Sequence, residues 1–304
     1  MRVDRNLILA VERGCYRRWR EILDVHAADQ ALLAKVHAPE AAAALAPGRK
    51  VVGDIAVIRL SGFITQKPSL FTVLFGGTSA ELFAATVQAA MAEPSVGAVV
   101  LDVDSPGGEV FGIPEAAAVI RVARGSKPLI AVSDPFMASA AYWLASQADE
   151  IVALPSSMTG SVGVYVAHVS EQKALEKFGL DVTELTYGRR KAEQSSAHAL
   201  SDEATAAIEK DLAYIGRMFE RDVAKGRGTT AANVHANYGE GAVFMAPDAK
   251  AAGMIDRIGI LDDVIGELAS GRRTVAARAL AAECDPVEMA ARAALAGLPP
   301  MRIE

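Results

Sequence analysis

The sequence predicts an α/β fold with a mainly parallel sheet, and two observations support that prediction. Between residues 51 and 270, stretches rich in Val and Ile alternate with stretches whose apolar residues recur at helical spacing. Such alternation is typical of strand-helix-strand units, in which successive strands are parallel. Hydrophobic residues make up 51% of the 304 residues, which is enough to build the core of one large domain or two small ones.

The predicted elements follow one another along the central part of the chain. Strands are expected at VVGDIAVIRL (51–60), GAVVLDVD (97–104), PLIAVS (128–133), EIVALP (150–155) and GVYVAHV (163–169). Helices are expected near 79–93, 114–124, 139–148 and 201–225.

The two ends of the chain lack this alternation. Residues 1–46 carry apolar positions at helical spacing and end in an Ala/Pro stretch, which predicts a helical arm followed by a linker. Residues 270–304 are rich in Ala and Arg and contain two late prolines, which favours a surface helix and a disordered tail. The expected organisation is therefore an arm at 1–46, a central domain at 50–268 and a tail at 270–304.

Charge and cysteine usage exclude several classes of protein. The net charge is −6 and the 31 basic residues are scattered, so the basic stripe of a nucleic-acid-binding protein is missing. Cys15 and Cys284 have neither metal-ligand nor disulfide-framework spacing, which fits a reducing cytoplasm. The N-terminal apolar run of about six residues is shorter than a signal peptide requires. No run reaches the roughly 18 apolar residues of a membrane span, so none is expected.

The stretch SPGGEV, Ser105 to Val110, follows the strand GAVVLDVD. Pro106 fixes one φ angle, whereas Gly107 and Gly108 permit backbone conformations that expose N–H groups at the end of the strand. Such N–H groups can stabilise an oxyanion. A tight turn that merely leads into a helix would explain the same residues.

Ser139, in MASAAYW, lies where a predicted strand gives way to a predicted helix. A helix N-terminus has unpaired N–H groups and a dipole that favours negative charge, so the oxyanion of a nucleophilic substitution would be stabilised there. The alternative is an ordinary N-cap serine, which is common at this position.

A serine nucleophile needs a base, and lysine is the remaining candidate. The five histidines stand in no triad-like motif and the GxSxG elbow is absent. Lys191, in TYGRRKAEQSS, could act as the base if its pKa fell from about 10.4 toward neutrality, which burial can cause and the two adjacent arginines could assist. A solvated loop lysine is the alternative. The histidines are His26, His37, His168, His198 and His235.

Four blocks, in their order and spacing, resemble the S49 family of serine peptidases, the signal peptide peptidase A group. The blocks are DSPGGEV, MASAAYWLASQADEIVALPSSMTGSVGV, ALEKFGLDVTELTYGRRKAE and VFMAPDAKAAGMIDRIG, and they cover roughly residues 50–268. Within that family the sequence is more similar to the phage head maturation proteases of the capsid-protein-C type. The resemblance implies a ClpP/crotonase-like spiral of repeated β-β-α units and a Ser/Lys dyad.

The resemblance also implies a role for individual residues. Ser139 corresponds to the nucleophile and Lys191 to the general base. The N–H groups of Gly108 and Ala140 correspond to the oxyanion hole, and Ser161 to the hydroxyl that orients the lysine. Many relatives have glycine where this chain has Ala140, but alanine still provides the N–H group. No metal or cofactor is implied, and no GxxxxGK[ST] nucleotide loop is present.

The resemblance further implies a homo-oligomer whose active sites are shared between subunits, because the chain has one copy of each block. The expected substrates are scaffold, portal or capsid chains, and the chain itself, in the host cytoplasm or an assembling procapsid. Three alternatives remain open from the sequence: a cellular signal-peptide-peptidase-like protease, a non-catalytic assembly protein on the same fold, and a crotonase-like acyl-CoA enzyme.

Overall fold

The computed structural model describes residues 9–11 and 47–271, apart from 69–71, 73–75 and 126. Ten strands within these residues form one mixed, mainly parallel sheet. The strands are β1 (Leu9–Val11), β2 (Arg49–Val52), β3 (Ile55–Thr65), β4 (Thr78–Ser79), β5 (Ala98–Glu109), β6 (Leu129–Ala138), β7 (Glu150–Ala153), β8 (Met158–Gly160), β9 (Val243–Met245) and β10 (Arg257–Ile258).

Eight α-helices lie within the described residues, and helices cover both faces of the sheet. They are α1 (Ala80–Ala92), α2 (Ile113–Ala123), α3 (Ala140–Ala145), α4 (Gln172–Lys177), α5 (Asp202–Arg227), α6 (Ala231–Asn237), α7 (Ala246–Ala251) and α8 (Leu261–Ala269). The predicted α/β class with a mainly parallel sheet is confirmed. A complete β-β-α unit is formed by β3, β4 and α1.

The order of the main strands is β10-β7-β6-β5-β3-β2, and β3, β5, β6, β7 and β10 are parallel. The short strand β8 adds to the end of β6, beyond the point where β7 pairs with it. Because parallel strands end at the same edge, residues that follow β5, β6 and β8 are brought close together.

The central strands are buried on both faces, as expected when helices cover a parallel sheet. Val99, Leu101 and Val103 of β5 join the larger core beneath α1, α2, α3 and α5. Val100 of the same strand faces a second, smaller core, which is covered by Val264 of α8. Alternate residues of β5 therefore pack into two different cores, one on each face of the sheet.

Helix α3 is fixed from several sides, although it has only six residues. The indole ring of Trp143 stacks on Phe219 of α5, with ring centroids 4.1 Å apart, and its N–H donates to the Asp222 carboxylate at 2.9 Å. The Tyr142 hydroxyl donates to the carbonyl of Met254 at 2.9 Å. The residues that follow Ser139 are thus held rigidly in the core.

Two predictions about secondary structure are wrong. Residues 163–169 do not form a strand; the strand is the preceding β8, and 163–169 pass along the surface with only one bridge residue, Tyr165. Residues 9–11, expected in a helical arm, form strand β1. The remainder of the arm and the tail beyond residue 271, with both cysteines, lie outside the described residues.

Candidate active site

Ser139 lies between the last residue of β6 and the first residue of α3. Its backbone has φ 54° and ψ −122°, a conformation that residues other than glycine rarely adopt. Strain of this kind costs about 1–3 kcal/mol and is concentrated at functional sites. The prediction that Ser139 marks the start of a helix is confirmed.

The backbone of Ser139 is held on both sides. Its N–H donates to the carbonyl of Gly160 in β8 at 2.7 Å, and its carbonyl accepts from the N–H of Trp143 at 2.9 Å. Gly160 was not identified from the sequence, although the glycine in TGSVG was a signal. Only glycine suits this position, because its φ is 133° and a Cβ atom here would lie 2.8 Å from the Ala242 carbonyl oxygen.

The side chain of Ser139 is fully buried and makes no capping hydrogen bond. Within the described residues its Oγ has no hydrogen-bond partner at all. The interpretation of Ser139 as an ordinary N-cap is therefore wrong. A buried hydroxyl left unpaired costs about 1–3 kcal/mol, and such a group requires a functional explanation.

The first turn of α3 supplies N–H groups next to this hydroxyl. The bond from Trp143 to Ser139 is the first i to i−4 bond of the helix, so the N–H groups of Ala140 and Ala141 have no partner within it. Ala140 thus has the position expected of an oxyanion-hole donor.

The SPGGEV stretch is an extension of β5 and not a tight turn. The strand continues to Glu109, with a register irregularity after Val103 and a φ of 96° at Gly107. The buried Ser105 hydroxyl donates to the carbonyl of Gly62 at 2.6 Å and accepts from the N–H of Gly107 at 3.2 Å. Sequence analysis did not assign this role to Ser105, which fixes the path of the irregular strand.

Gly108 lies where only glycine fits. A Cβ atom at this position would come within 1.9 Å of the carbonyl oxygen of Ile64, which is its partner in β3. On the other side, Ser105 pairs with Met137 of β6, two residues before Ser139. The structure therefore brings Gly108, Ser139 and Ala140 to the same end of two neighbouring strands.

Ser161 directly follows β8, the strand that pairs with the end of β6. It has a φ of 55°, and its N–H donates to the carbonyl of Ala242 at 2.7 Å. Because Ala138 pairs with Gly160, Ser161 and Ser139 leave adjacent strands at the same level. The structure thus places Ser161 beside the candidate nucleophile.

Lys191 is not brought to Ser139 within the single chain. It lies in an exposed turn, and since Ser139 Oγ has no hydrogen-bond partner among the described residues, the lysine does not contact it. The two adjacent arginines do not act as expected either. Arg189 forms a bidentate pair with Glu203 at 2.6 and 2.8 Å, and Arg190 pairs with Glu193 at 2.7 and 2.8 Å, so carboxylates offset both charges.

Lys191 belongs to a long stretch with little regular secondary structure, residues 164–200, which we call the lysine-bearing segment; its ends are partly buried and residues 181–191 are all exposed. Its only helix is α4, and no residue of that helix is buried. A hydrogen bond joins two parts of the segment that are distant in sequence, since the Glu171 N–H donates to the carbonyl of Ser196 at 2.6 Å. Five of its large apolar side chains are more than two fifths exposed: Phe178 (77%), Leu180 (56%), Val182 (41%), Leu185 (93%) and Tyr187 (104%).

The histidine side chains of the described residues do not hydrogen-bond to Ser139 Oγ. His168 contacts the carbonyl of His198 at 3.2 Å, and His235 contacts Glu220 at 2.7 Å; His26 and His37 lie outside the described residues. Among the residues with described side chains, no three His, Cys, Asp or Glu groups are arranged to hold a metal ion. The described helices include none with the length and apolar character needed to cross a membrane.

Comparison with known proteins identifies similar sequences. The family model described as Peptidase family S49 matches residues 122–275, half of the chain. The chain is 31% identical to the head-tail preconnector protein GP5 of Enterobacteria phage P21, over 73% of this chain and 44% of that protein. It is 30% identical to capsid assembly protease C of Escherichia phage lambda, over 69% of this chain and 47% of that protein.

A cellular protein is similar to the same degree. Protease 4 of Salmonella typhi is 31% identical over 71% of this chain and 34% of its own length. The chain therefore spans less than half the length of each of these three relatives.

Proposed function

The chain belongs to peptidase family S49, and we propose that it is a serine endopeptidase in which Ser139 is the nucleophile and Lys191 the general base. The observation that carries this proposal is the state of Ser139. Its backbone is strained, its hydroxyl is buried without a partner in the described chain, and helix N–H groups lie beside it. A side chain with only a structural role would not require this combination.

The proposed reaction follows from these positions. The neutral amine of Lys191 takes the proton of the Ser139 hydroxyl, and the resulting alkoxide attacks the carbonyl carbon of a peptide bond. The N–H groups of Gly108 and Ala140 stabilise the oxyanion, each by about 3 to 4 kcal/mol. Protonated Lys191 then gives its proton to the leaving amine, and a water molecule that the same lysine deprotonates hydrolyses the acyl-enzyme. Ser161 would orient the lysine.

We further propose that Lys191 reaches Ser139 of a neighbouring subunit in a homo-oligomer. The lysine-bearing segment exposes several large apolar side chains, close together in sequence, that a monomer would leave in water, and exposed apolar surface is typical of an interface. Packing of this segment on a second copy of the chain would bury these side chains. It would also enclose Lys191, which favours its neutral form.

The names of the phage relatives support a role in head assembly. We propose that the substrates are scaffold, portal or capsid chains, and segments of this chain itself, cleaved in the host cytoplasm or inside an assembling procapsid. The similarity to Protease 4 favours a second candidate, a cellular signal-peptide-peptidase-like protease. Cleavage of purified phage structural proteins against cleavage of signal peptides separates the two.

The test of the shared site is complementation between two inactive variants. Ser139→Ala and Lys191→Ala proteins are each assayed alone on an unstructured casein-like substrate by intact-mass spectrometry, and then as a mixture under conditions that exchange subunits. We expect no cleavage from either alone and partial recovery in the mixture, because one mixed pair of subunits has both groups.

Two controls decide how a negative result is interpreted. Subunit exchange is verified independently by mass, with one variant isotopically labelled. Verified exchange without recovery would show that both groups come from the same chain. Wild-type activity that survives Ser139→Ala would instead contradict the proposed nucleophile, and a wild-type oligomer that cleaves no substrate would favour a non-catalytic assembly protein.

A further inference from the structure

At Gly107–Glu109, the edge of β5 that does not pair with β3 faces the candidate nucleophile. A strand has two edges, and β3 occupies one of them, with Phe63 opposite Gly107 and Ile64 opposite Gly108. Strand β6 occupies the other edge only as far as the pair Ser105–Met137, because it then leaves the sheet at Ser139. The remaining edge of Gly107–Glu109 therefore faces the side on which Ser139 lies.

Strand β1 fills this edge. It pairs with β5 in antiparallel orientation, with Leu9 opposite Glu109, Ala10 opposite Gly108 and Val11 opposite Gly107. The addition of an extended, antiparallel segment to an open sheet edge is a common way for proteins to bind peptides, since the main chain supplies the affinity. A segment of the chain itself thus lies where an extended peptide would bind.

The register of β1 places it against the proposed oxyanion hole. Ala10 lies opposite Gly108, whose N–H is one of the two proposed donors. A second observation is independent of this pairing: the Ser139 hydroxyl is fully buried, so a peptide arriving from solvent cannot reach it in this conformation.

We infer that Leu9–Val11 occupies the substrate-binding edge of β5 as a substrate-like segment and blocks the site until a substrate displaces it. The inference rests on the proposed function, because it assigns the substrate position from the proposed oxyanion hole. A single chain is not expected to cleave this segment, because Lys191 does not contact Ser139 Oγ there.

The Leu9–Val11 segment would compete with a substrate for the edge of β5, and a substrate could still displace it. Only three residues pair, so the contact has few hydrogen bonds. A tethered segment, however, is present at an effective concentration on the order of millimolar, so a substrate at micromolar concentration competes poorly. The apparent KM equals the intrinsic KM divided by the fraction of sites that the segment leaves free.

The first experiment uses two substitutions in the full-length protein. Ala10→Pro removes the backbone N–H and fixes φ near −65°, far from the roughly −140° of an antiparallel strand, and is expected to weaken the pairing with β5. Ala10→Ser keeps the N–H and a small side chain and is the matched control. If the segment occupies about nine tenths of the sites, Ala10→Pro raises kcat/KM on a casein-like substrate about tenfold through KM, and Ala10→Ser leaves it unchanged. Equal kcat/KM values for the two variants would overturn the inference.

The second experiment does not depend on catalysis. In the Ser139→Ala protein, hydrogen exchange of the backbone amides of Gly107–Glu109 is compared with and without Ala10→Pro. The double variant is then titrated with a fluorescent peptide of residues 5–14. We expect faster exchange at Gly107–Glu109 in the double variant, and slower exchange again when the peptide binds.

These outcomes separate the two hypotheses. Unchanged exchange at Gly107–Glu109 in a folded double variant would overturn the inference whether or not the protein cleaves substrates. Faster exchange that the peptide reverses, in a protein that cleaves no substrate, would support the segment's position and contradict the proposed peptidase activity. A peptide that carries Ala10→Pro is the control for specific binding.

Discussion

The two halves of the proposed dyad lie in regions that differ in almost every physical respect. Ser139 and the aromatic residues that follow it, Tyr142 and Trp143, are fully buried and joined to the core by hydrogen bonds and ring stacking. Leu185 and Tyr187 of the lysine-bearing segment are almost fully exposed. Under the proposed mechanism, one chain would complete the nucleophile half of the site and leave the base half to an interface.

The largest effect is expected from Lys191→Ala. Loss of a general base lowers turnover by about 100-fold to 10,000-fold, whereas stability should change by less than about 0.5 kcal/mol because the side chain is exposed. Steady-state cleavage and urea denaturation measure the two quantities. Lys177→Ala, at an exposed lysine of the same segment, is the control. Equal losses of turnover from both substitutions would argue against a specific role for Lys191.

Removing an aromatic ring should have opposite consequences in the two regions. Trp143→Ala is expected to cost about 3–5 kcal/mol of unfolding free energy, because it removes a buried ring and the hydrogen bond that the indole N–H donates to Asp222. Tyr187→Ala should change monomer stability by less than about 0.5 kcal/mol but weaken association. Urea denaturation at low protein concentration and native mass spectrometry at high concentration test the pair. A large loss of monomer stability from Tyr187→Ala would contradict the contrast.

A smaller effect is expected at the contact between α5 and the end of α3. A Cβ atom at Gly226 would come within 2.2 Å of the Ser146 carbonyl oxygen, so Gly226→Ala should cost about 1–3 kcal/mol. Gly216 in the same helix has nothing within 4 Å of its Cβ position, and Gly216→Ala should stabilise by about 0.5–1 kcal/mol. Thermal unfolding compares the two. Equal responses would mean that the packing around α3 is looser than the structure shows.

The smallest effects are pH-dependent and should have opposite signs. Burial raises the pKa of Asp102 above 3.8, with Arg59 opposing the shift, so this group makes stability fall as pH rises from 3.8 through the folded-state pKa. The hydrogen bond from Arg189 lowers the pKa of Glu203 below 4.5, so its small contribution is present above 4.5 and is lost as pH falls through the folded-state pKa.

Chemical denaturation across this pH range measures both slopes. Asp102→Asn should remove the part of the fall in unfolding free energy with rising pH that Asp102 causes. Glu203→Gln should remove the part of the loss on acidification that Glu203 causes. Slopes of the same sign for the two groups would contradict the difference in environment between the buried strand and the exposed ion pair.

Much of the nucleophile half could be predicted from the sequence because local signals determine it. Ser201, whose side chain accepts the N–H of Ala204, and Gly228, with φ 65°, mark the two ends of α5 near the predicted bounds. The strand-to-helix change at Ser139 was predicted for the same reason. The buried strands β5 and β6 each begin with a continuous apolar run, 98–101 and 129–132, which is typical of strands covered on both faces.

The remaining features depend on distant parts of the chain or on other chains. The stretch 163–169 alternates like a strand, but its residues are only partly buried and it finds no extended pairing within the described chain. The pairing of β1 with β5 joins residues far apart in sequence through only three positions, which no local pattern signals. The absence of a contact between Lys191 and Ser139 Oγ in the single chain was implied only by the family resemblance.

Because Trp143 is buried near Ser139, its fluorescence is a probe of the candidate active site. The indole lies one helical turn after Ser139, stacks on Phe219 and donates a hydrogen bond to the Asp222 carboxylate. Its fluorescence emission therefore depends on the exclusion of water next to the proposed nucleophile. The chain has two tryptophans, and Trp19→Phe would leave Trp143 as the single fluorophore. If Ser139 is the nucleophile as proposed, a stopped-flow trace of that variant should follow its acylation and deacylation as two optical phases, without a labelled substrate.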